Sequence, residues 1–170
     1  ELIKTEGISF NEGMPILNQS AIAIDRVTSQ INDLITQENC SGKPENGIQS
    51  LKCNDVVLVD DDEIQIMLNK MIISKCLKPE RITTFTSGMA AIEYIKSHQA
   101  DIMFLDINMP GMTGMEVLKS MKKAHIDLPV IMLSSSMDPK QINDCYSYTN
   151  VAQYLVKPLK STSIAHLSSG

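Results

Sequence analysis

Tryptophan is absent from this 170-residue chain, and three Phe and four Tyr make up an aromatic share of only 4%. Aromatic clusters are therefore excluded as the main material of a core, which has to be built from aliphatic side chains and 11 methionines. Apolar residues still account for 43% of the chain, which is ordinary for a globular protein. The length corresponds to about one domain and a remainder.

An excess of positive charge is also missing. The chain has 15 Lys and Arg against 20 Asp and Glu, for a formal net charge of −5. This acidic balance argues against a nucleic-acid partner. No apolar run approaches the ~18 residues of a spanning helix, and no signal peptide is visible. We therefore expect no membrane partner and a cytoplasmic location.

The four cysteines form no Cys-x-x-Cys pair, and no His accompanies them at zinc-ligand spacing. This pattern predicts reduced thiols rather than a disulfide framework or a zinc site. The glycine-rich patterns of dinucleotide and P-loop sites are absent as well.

An amphipathic helix is predicted over about residues 15–37, beginning at Pro15, which suits a first helical turn. Its apolar side chains recur at steps of three and four residues: Leu17, Ala21, Ile24, Val27, Ile31 and Leu34. A polar stretch with Gly, Pro and Asn-Gly breakers follows and predicts a linker. The chain is thus divided into an N-terminal segment (1–37), a linker (38–54) and a domain (55–168).

Short apolar, β-branched runs alternate with helical periodicity throughout this domain. The predicted strands cover 56–59, 82–85, 102–105, 130–133 and 151–156, and the predicted helices cover 63–77, 87–97, 115–123, 139–146 and 159–168. Five strands alternating with five helices indicate an α/β fold with a doubly wound parallel sheet and right-handed crossovers.

Helical periodicity also predicts which apolar side chains face the core. In the first two helices of the domain these are Ile64, Met67, Leu68, Met71, Ile72, Met89, Ile92 and Ile95. Met115 is interpreted in the same way. The methionines are thus predicted to fill the core rather than to form a binding groove.

Polar side chains follow the predicted strands, at the edge where the carboxyl ends of parallel strands meet. They are Asp60, Asp61 and Asp62 after the first strand, Asp106 after the third, Ser134, Ser135 and Ser136 after the fourth, and Lys157 after the fifth. Two carboxylates ~4 Å apart repel each other by ~4 kcal/mol at an effective dielectric constant near 20, so the cluster needs a cation or a proton. Mg²⁺ suits such oxygen ligands. A carboxylate beside Mg²⁺ and a lysine can attack a phosphoryl group and form an acyl phosphate.

These strand ends lie in four motifs that together resemble the receiver domain of two-component response regulators, of the chemotaxis type. The motifs are VVLVDDDE, FLDINMPGMTG, PVIMLSSS and YLVKP, and the resemblance spans residues 54–159. It implies the flavodoxin-like strand order 2-1-3-4-5, which the alternation of strands and helices allows. It also implies that Asp106 accepts a phosphoryl group. It also implies that Asp60, Asp61 and Asp106, with the backbone carbonyl of Asn108, bind Mg²⁺ or, alternatively, Mn²⁺.

The same resemblance implies a switch beside the acceptor. Ser134 matches the family's switch hydroxyl, and Tyr154 matches the aromatic residue that turns inward on activation. Lys157 matches the lysine that contacts the phosphoryl group, and the Lys157–Pro158 peptide bond resembles the family's cis peptide.

The implied function is that of a non-enzymatic signalling module, with self-phosphorylation from small donors and autodephosphorylation as its only reactions. A histidine kinase or a histidine phosphotransfer protein would supply the phosphoryl group, and a downstream protein would bind the switched face. Two alternatives stay open: a Mg²⁺-dependent phosphohydrolase with an Asp nucleophile, and a scaffold that is never phosphorylated. Asn108 in place of a second carboxylate argues against the first, and the complete acidic set argues against the second.

The predicted N-terminal helix is similar to the second helix of the dimerisation domain of histidine kinases. This resemblance implies a homodimer formed through residues 15–37. Packing against the receiver, or descent from a larger hybrid kinase, are the alternatives.

Overall fold

The computed structural model describes residues 53–167. The predicted N-terminal helix, the homodimer expected from it and nearly all of the predicted linker lie outside these residues. The last residue of the predicted domain, Ser168, lies outside them as well.

Five parallel strands form a single sheet in the order β2-β1-β3-β4-β5. The strands are β1 (Asp55–Val59), β2 (Arg81–Phe85), β3 (Ile102–Asp106), β4 (Val130–Ser134) and β5 (Val151–Val156). The helices are α1 (Glu63–Leu77), α2 (Gly88–Ser97), α3 (Gly114–Lys123), α4 (Pro139–Tyr146) and α5 (Ser161–Ile164). This arrangement confirms the predicted doubly wound fold and its flavodoxin-like order. The last helix is shorter than predicted, because a 3₁₀ turn over Ala165–Leu167 continues it.

The centre of the sheet explains the apolar runs in the sequence. Every residue of β3 and β4 is buried, since helices cover both faces of these strands. The edge strand β2 is only half-buried and carries Arg81 and two threonines. Continuous apolar runs therefore mark the central strands, whereas the edges are more polar.

Strand register brings the ends of β1, β3 and β4 to the same edge. Val59 of β1 pairs with Leu105 of β3, and Asp106 of β3 pairs with Leu133 of β4. The register therefore places Asp60, the residue after Val59, beside Asp106.

The predicted inward faces of α1 and α2 are partly wrong. Four of the apolar side chains assigned to the core are about half exposed: Ile64 (49%), Met67 (52%), Met71 (50%) and Met89 (56%). Leu68, Ile72, Ile92 and Ile95 are buried as predicted. Apolar residues occupy more than one face of α1, so periodicity alone does not show which face lies on the sheet. Met115 is half-buried and packs against the core.

None of the helices within residues 53–167 is sufficiently long and apolar to cross a membrane.

Candidate functional site

Three carboxylates meet at the carboxyl edge of the sheet. Asp60 directly follows β1, and Asp106 is the last residue of the neighbouring strand β3. Oxygen atoms of Asp60, Asp61 and Asp106 all lie within 4.8 Å of one another. Asp60 and Asp106 are buried, with 1% and 4% of their surface exposed, whereas Asp61 faces solvent. The site therefore has two buried carboxylates and one at its mouth.

A turn fixes the orientation of the first carboxylate. The backbone N–H of Asp62 donates to Asp60 Oδ1 at 3.1 Å. Asp62 in turn is the N-cap of α1, and its side chain accepts from the backbone N–H of Ile64 at 2.8 Å. Asp60 and Asp61 thus belong to the carboxylate cluster, whereas Asp62 caps α1 and has a structural role.

Lys157, which follows β5, supplies positive charge to this cluster. Its Nζ donates to Asp60 Oδ2 at 2.6 Å and lies 3.0 Å from Asp106 Oδ1. Its backbone N–H donates to the Ser134 carbonyl at 2.7 Å, and the Lys157–Pro158 peptide bond is cis. One ammonium group therefore contacts both buried carboxylates.

The pKa values of Asp60 and Lys157 are both raised at this contact, which favours the protonated form of each group. Burial raises the pKa of Asp60, outweighing the hydrogen bond and the charge of Lys157. Burial also opposes the charge of Lys157, but the hydrogen bonds and charges of Asp60 and Asp106 outweigh it and raise the pKa of the ammonium. The cluster is thus short of positive charge. The three carboxylates carry more negative charge than the single Lys157 ammonium neutralises, and their oxygens form a ligand set that fits a hard divalent cation such as Mg²⁺.

Hydroxyl groups line the neighbouring strand end. Ser134, the last residue of β4, is completely buried. Its Oγ donates to Gln141 Oε1 at 3.1 Å and accepts from the backbone N–H of Ser136 at 3.1 Å. The hydroxyl of Tyr154 donates to the Ser136 carbonyl at 2.8 Å and lies 3.0 Å from Gln141 Oε1. Gln141 therefore contacts both Ser134 and Tyr154, the two residues for which the family resemblance predicts a switch role.

The structure brings Asp60, Asp61, Asp106 and Lys157 together, as parallel strand ends require. Ser134 is adjacent through strand pairing, although its hydroxyl points to Gln141. Tyr154 is already half-buried and packs against the core, so its rotation on activation stays a prediction. The exposed Asn108 lies two residues after Asp106, and the role of its carbonyl as a metal ligand also stays a prediction.

Comparison with protein families identifies the family to which the described domain belongs. The family described as "Response regulator receiver domain" matches residues 56–167. The chain belongs to this family. As a response regulator receiver domain, it is a component of two-component signalling systems.

Relatives of this receiver domain occur in plants and bacteria. The chain is 34% identical over 128 residues to "Two-component response regulator ARR17" of Arabidopsis thaliana, covering 66% of this chain and 80% of the relative. It is 33% identical over 102 residues to "DNA-binding transcriptional regulator NtrC" of Escherichia coli, covering 60% of this chain but only 21% of that protein. The match to this larger relative therefore covers the receiver domain alone.

Solved structures agree with this assignment. A two-component response regulator from Cytophaga hutchinsonii is 34% identical, with a TM-score of 0.62 over 68% of this chain and 94% of that one. The chemotaxis protein CheY4 of Vibrio cholerae, at 23% identity and a TM-score of 0.56, shares the fold over 66% of this chain and 93% of its own.

Proposed function

We propose that this receiver domain accepts a phosphoryl group on Asp106 in a Mg²⁺-dependent step. The donor would be a histidine kinase or a histidine phosphotransfer protein in the cytoplasm. The observation that supports this proposal most strongly is the contact of the buried Asp106 with Lys157 at 3.0 Å, beside two further carboxylates within 4.8 Å. A nucleophilic carboxylate, a metal-binding acidic pair and a charge-neutralising ammonium are the groups that phosphoryl transfer to an aspartate needs.

In the proposed reaction a carboxylate oxygen of Asp106 attacks the phosphorus atom and forms an acyl phosphate. The bond between phosphorus and the donor imidazole nitrogen breaks, and the imidazole keeps the electron pair. Mg²⁺ held by Asp60, Asp61 and Asp106 would supply charge neutralisation for the phosphoryl oxygens. The Lys157 ammonium, already 3.0 Å from Asp106 Oδ1, is within reach of the same oxygens. Hydrolysis of the acyl phosphate would return the domain to its starting state.

A downstream protein would bind the face formed by α4, β5 and α5 once phosphorylation has changed it. Several apolar side chains of this face are exposed: Met137 (74%), Tyr146 (49%) and Val156 (38%). Tyr154 of β5 is hydrogen-bonded to the loop after β4, which carries Met137. A movement of Ser134 toward a phosphoryl group would therefore act on a loop and a helix that already present apolar surface to a partner.

Mass spectrometry of the intact protein tests this proposal. After incubation with acetyl phosphate and Mg²⁺, we expect the mass of one added phosphoryl group. The adduct should be missing without Mg²⁺ and in the Asp106→Asn variant, whereas an Asp127→Asn variant, changed at an exposed and remote aspartate, should behave like the unchanged protein. An adduct that persists in Asp106→Asn would contradict the proposal. Turnover of a phosphate ester would favour the phosphohydrolase, and failure to bind Mg²⁺ would favour the scaffold.

The exposed carboxylate at the mouth of the site offers a test of the metal. Asp61→Asn removes one of the three carboxylates and leaves the buried contacts of Lys157 intact. For the unchanged protein we expect Mg²⁺ at about 100 times its dissociation constant to raise the free energy of unfolding by about 2.7 kcal/mol.

Asp61→Asn should lose most of this Mg²⁺-dependent stabilisation. Its stability without the metal should be equal or slightly higher, because one repelling charge is gone. Urea denaturation with and without Mg²⁺ measures both quantities, and Asp127→Asn is the matched control. Equal Mg²⁺ stabilisation in Asp61→Asn and the unchanged protein would place the metal elsewhere.

A further inference from the structure

We propose that Gln141 is a positioning residue that restrains the switch by competing with the phosphoryl group for the single hydroxyl proton of Ser134. This inference rests on the proposed function, since it concerns the step in which Ser134 turns toward phosphorylated Asp106. Gln141 lies in the first turn of α4 and not at the end of a strand, so the pattern of polar residues at strand ends does not single it out.

The hydroxyl proton of Ser134 is donated to a single acceptor, Gln141. The Ser134 Oγ donates to Gln141 Oε1 at 3.1 Å, and it already accepts a bond from the backbone N–H of Ser136. A hydroxyl has one proton to donate. Ser134 is completely buried, so bulk water does not reach its hydroxyl to replace a lost hydrogen-bond partner. To donate to a phosphoryl oxygen, Ser134 therefore has to release Gln141.

Tyr154 does not depend on Gln141 in the same way. Its hydroxyl proton has two acceptors, the Ser136 carbonyl at 2.8 Å and Gln141 Oε1 at 3.0 Å. The carbonyl is the closer of the two and remains if the glutamine is removed. Loss of the Gln141 acceptor should therefore release Ser134 while Tyr154 stays bonded to the loop after β4.

The position of Gln141 connects this competition to the proposed output face. Gln141 is the third residue of α4, which begins at Pro139 and whose N-cap is Asp138. When Ser134 leaves, Gln141 loses one of its two hydroxyl partners, and α4 loses a side-chain bond to β4. The bond between Ser134 and Gln141 thus favours the unphosphorylated arrangement, and its release frees the helix that carries part of the exposed apolar surface.

Beryllofluoride, which imitates a phosphoryl group on a carboxylate, allows this competition to be measured at equilibrium. Titration calorimetry with Mg²⁺ and beryllofluoride would compare the unchanged protein with Gln141→Met, which has a similar length but no acceptor oxygen of this kind. Removing one competing hydrogen bond should tighten beryllofluoride binding roughly 2- to 10-fold. Gln141→Glu keeps acceptor oxygens at this position and should not tighten binding.

A double-variant comparison separates this role from a merely structural one. In a Ser134→Ala background the proton in question is absent, so adding Gln141→Met should leave beryllofluoride affinity unchanged. Gln141→Ala serves as a second variant if Gln141→Met does not fold.

Three results would overturn the inference. Unchanged or weaker affinity in Gln141→Met means that Gln141 does not compete. An equal gain in beryllofluoride affinity with and without the Ser134 hydroxyl means that the effect of Gln141→Met does not depend on Ser134. If the unchanged protein binds no beryllofluoride at all, the proposed function fails, and the inference fails with it.

Discussion

Replacement of Lys157 by Met should lower the free energy of unfolding by about 3 to 5 kcal/mol in the absence of divalent cations. The Lys157 ammonium contacts both buried carboxylates, and its own side chain is only 13% exposed. Met has a similar volume but no charge, so Asp60 would be left as a buried carboxylate without its counter-ion. Removing one partner of a buried ion pair is costly because the remaining charge stays desolvated.

Urea denaturation of Lys157→Met, with and without Mg²⁺, measures this effect. Part of the lost stability should return with Mg²⁺, since a cation held by the three carboxylates replaces the missing positive charge. Phosphorylation by acetyl phosphate should remain strongly reduced even with excess Mg²⁺, because the ammonium near Asp106 is gone. Lys140→Met, at an exposed lysine of α4, is the control and should change neither quantity. Full stability of Lys157→Met without metal would contradict our description of the cluster.

Gly114→Ala should be the second variant with a large effect, at a cost of about 3 kcal/mol or more. Gly114 begins α3, and its backbone N–H donates to the Ile107 carbonyl at 2.9 Å. A Cβ atom here would clash with the carbonyl oxygen of Asp106 and would lie 2.9 Å from the Ile107 Cα. These are backbone atoms, so Asp106, the proposed phosphoryl acceptor, would have to move. We therefore expect slower phosphorylation together with the loss of stability.

Gly111→Ala is a matched control for this prediction. Gly111 has a φ of 78° but no atom within 4 Å of the position that a Cβ would take. Its replacement should cost about 1 to 2 kcal/mol for the left-handed backbone conformation alone, and phosphorylation should stay near normal. Denaturation and the rate of adduct formation distinguish the two variants. Similar behaviour of Gly114→Ala and Gly111→Ala in both assays would mean that close packing at Gly114 does not hold Asp106 in place.

The sequence predicts the sheet and the cluster at its edge for physical reasons. The apolar runs of β3 and β4 are continuous because both faces of these strands are covered by helices. Parallel strands end at one edge, so Asp60, Asp106 and Lys157 had to converge once the strands were assigned. The resemblance of the motifs to receiver domains then predicted the chemical role of each of these residues.

Two features could not be predicted from the pattern. Residues 64, 67 and 71 of α1 are apolar yet half exposed. The sequence does not predict this exposure, because apolar residues lie on several faces of α1 and do not show which face packs on the sheet. The bond from Ser134 to Gln141 depends on side-chain rotamers and on how α4 is placed against β4. A glutamine in a first helical turn is unremarkable in a sequence, so only the structure singles it out.

The central claim, that Asp106 is the phosphoryl acceptor, is tested most directly by chemical trapping. Borohydride reduces an acyl phosphate to an alcohol, and peptide mass spectrometry locates the reduced carboxyl group. After incubation with acetyl phosphate and Mg²⁺, we expect the reduced group at Asp106 and nowhere else. Reduction at Asp60 or Asp61, or a phosphoryl group that resists borohydride and maps to Ser134, would contradict the claim.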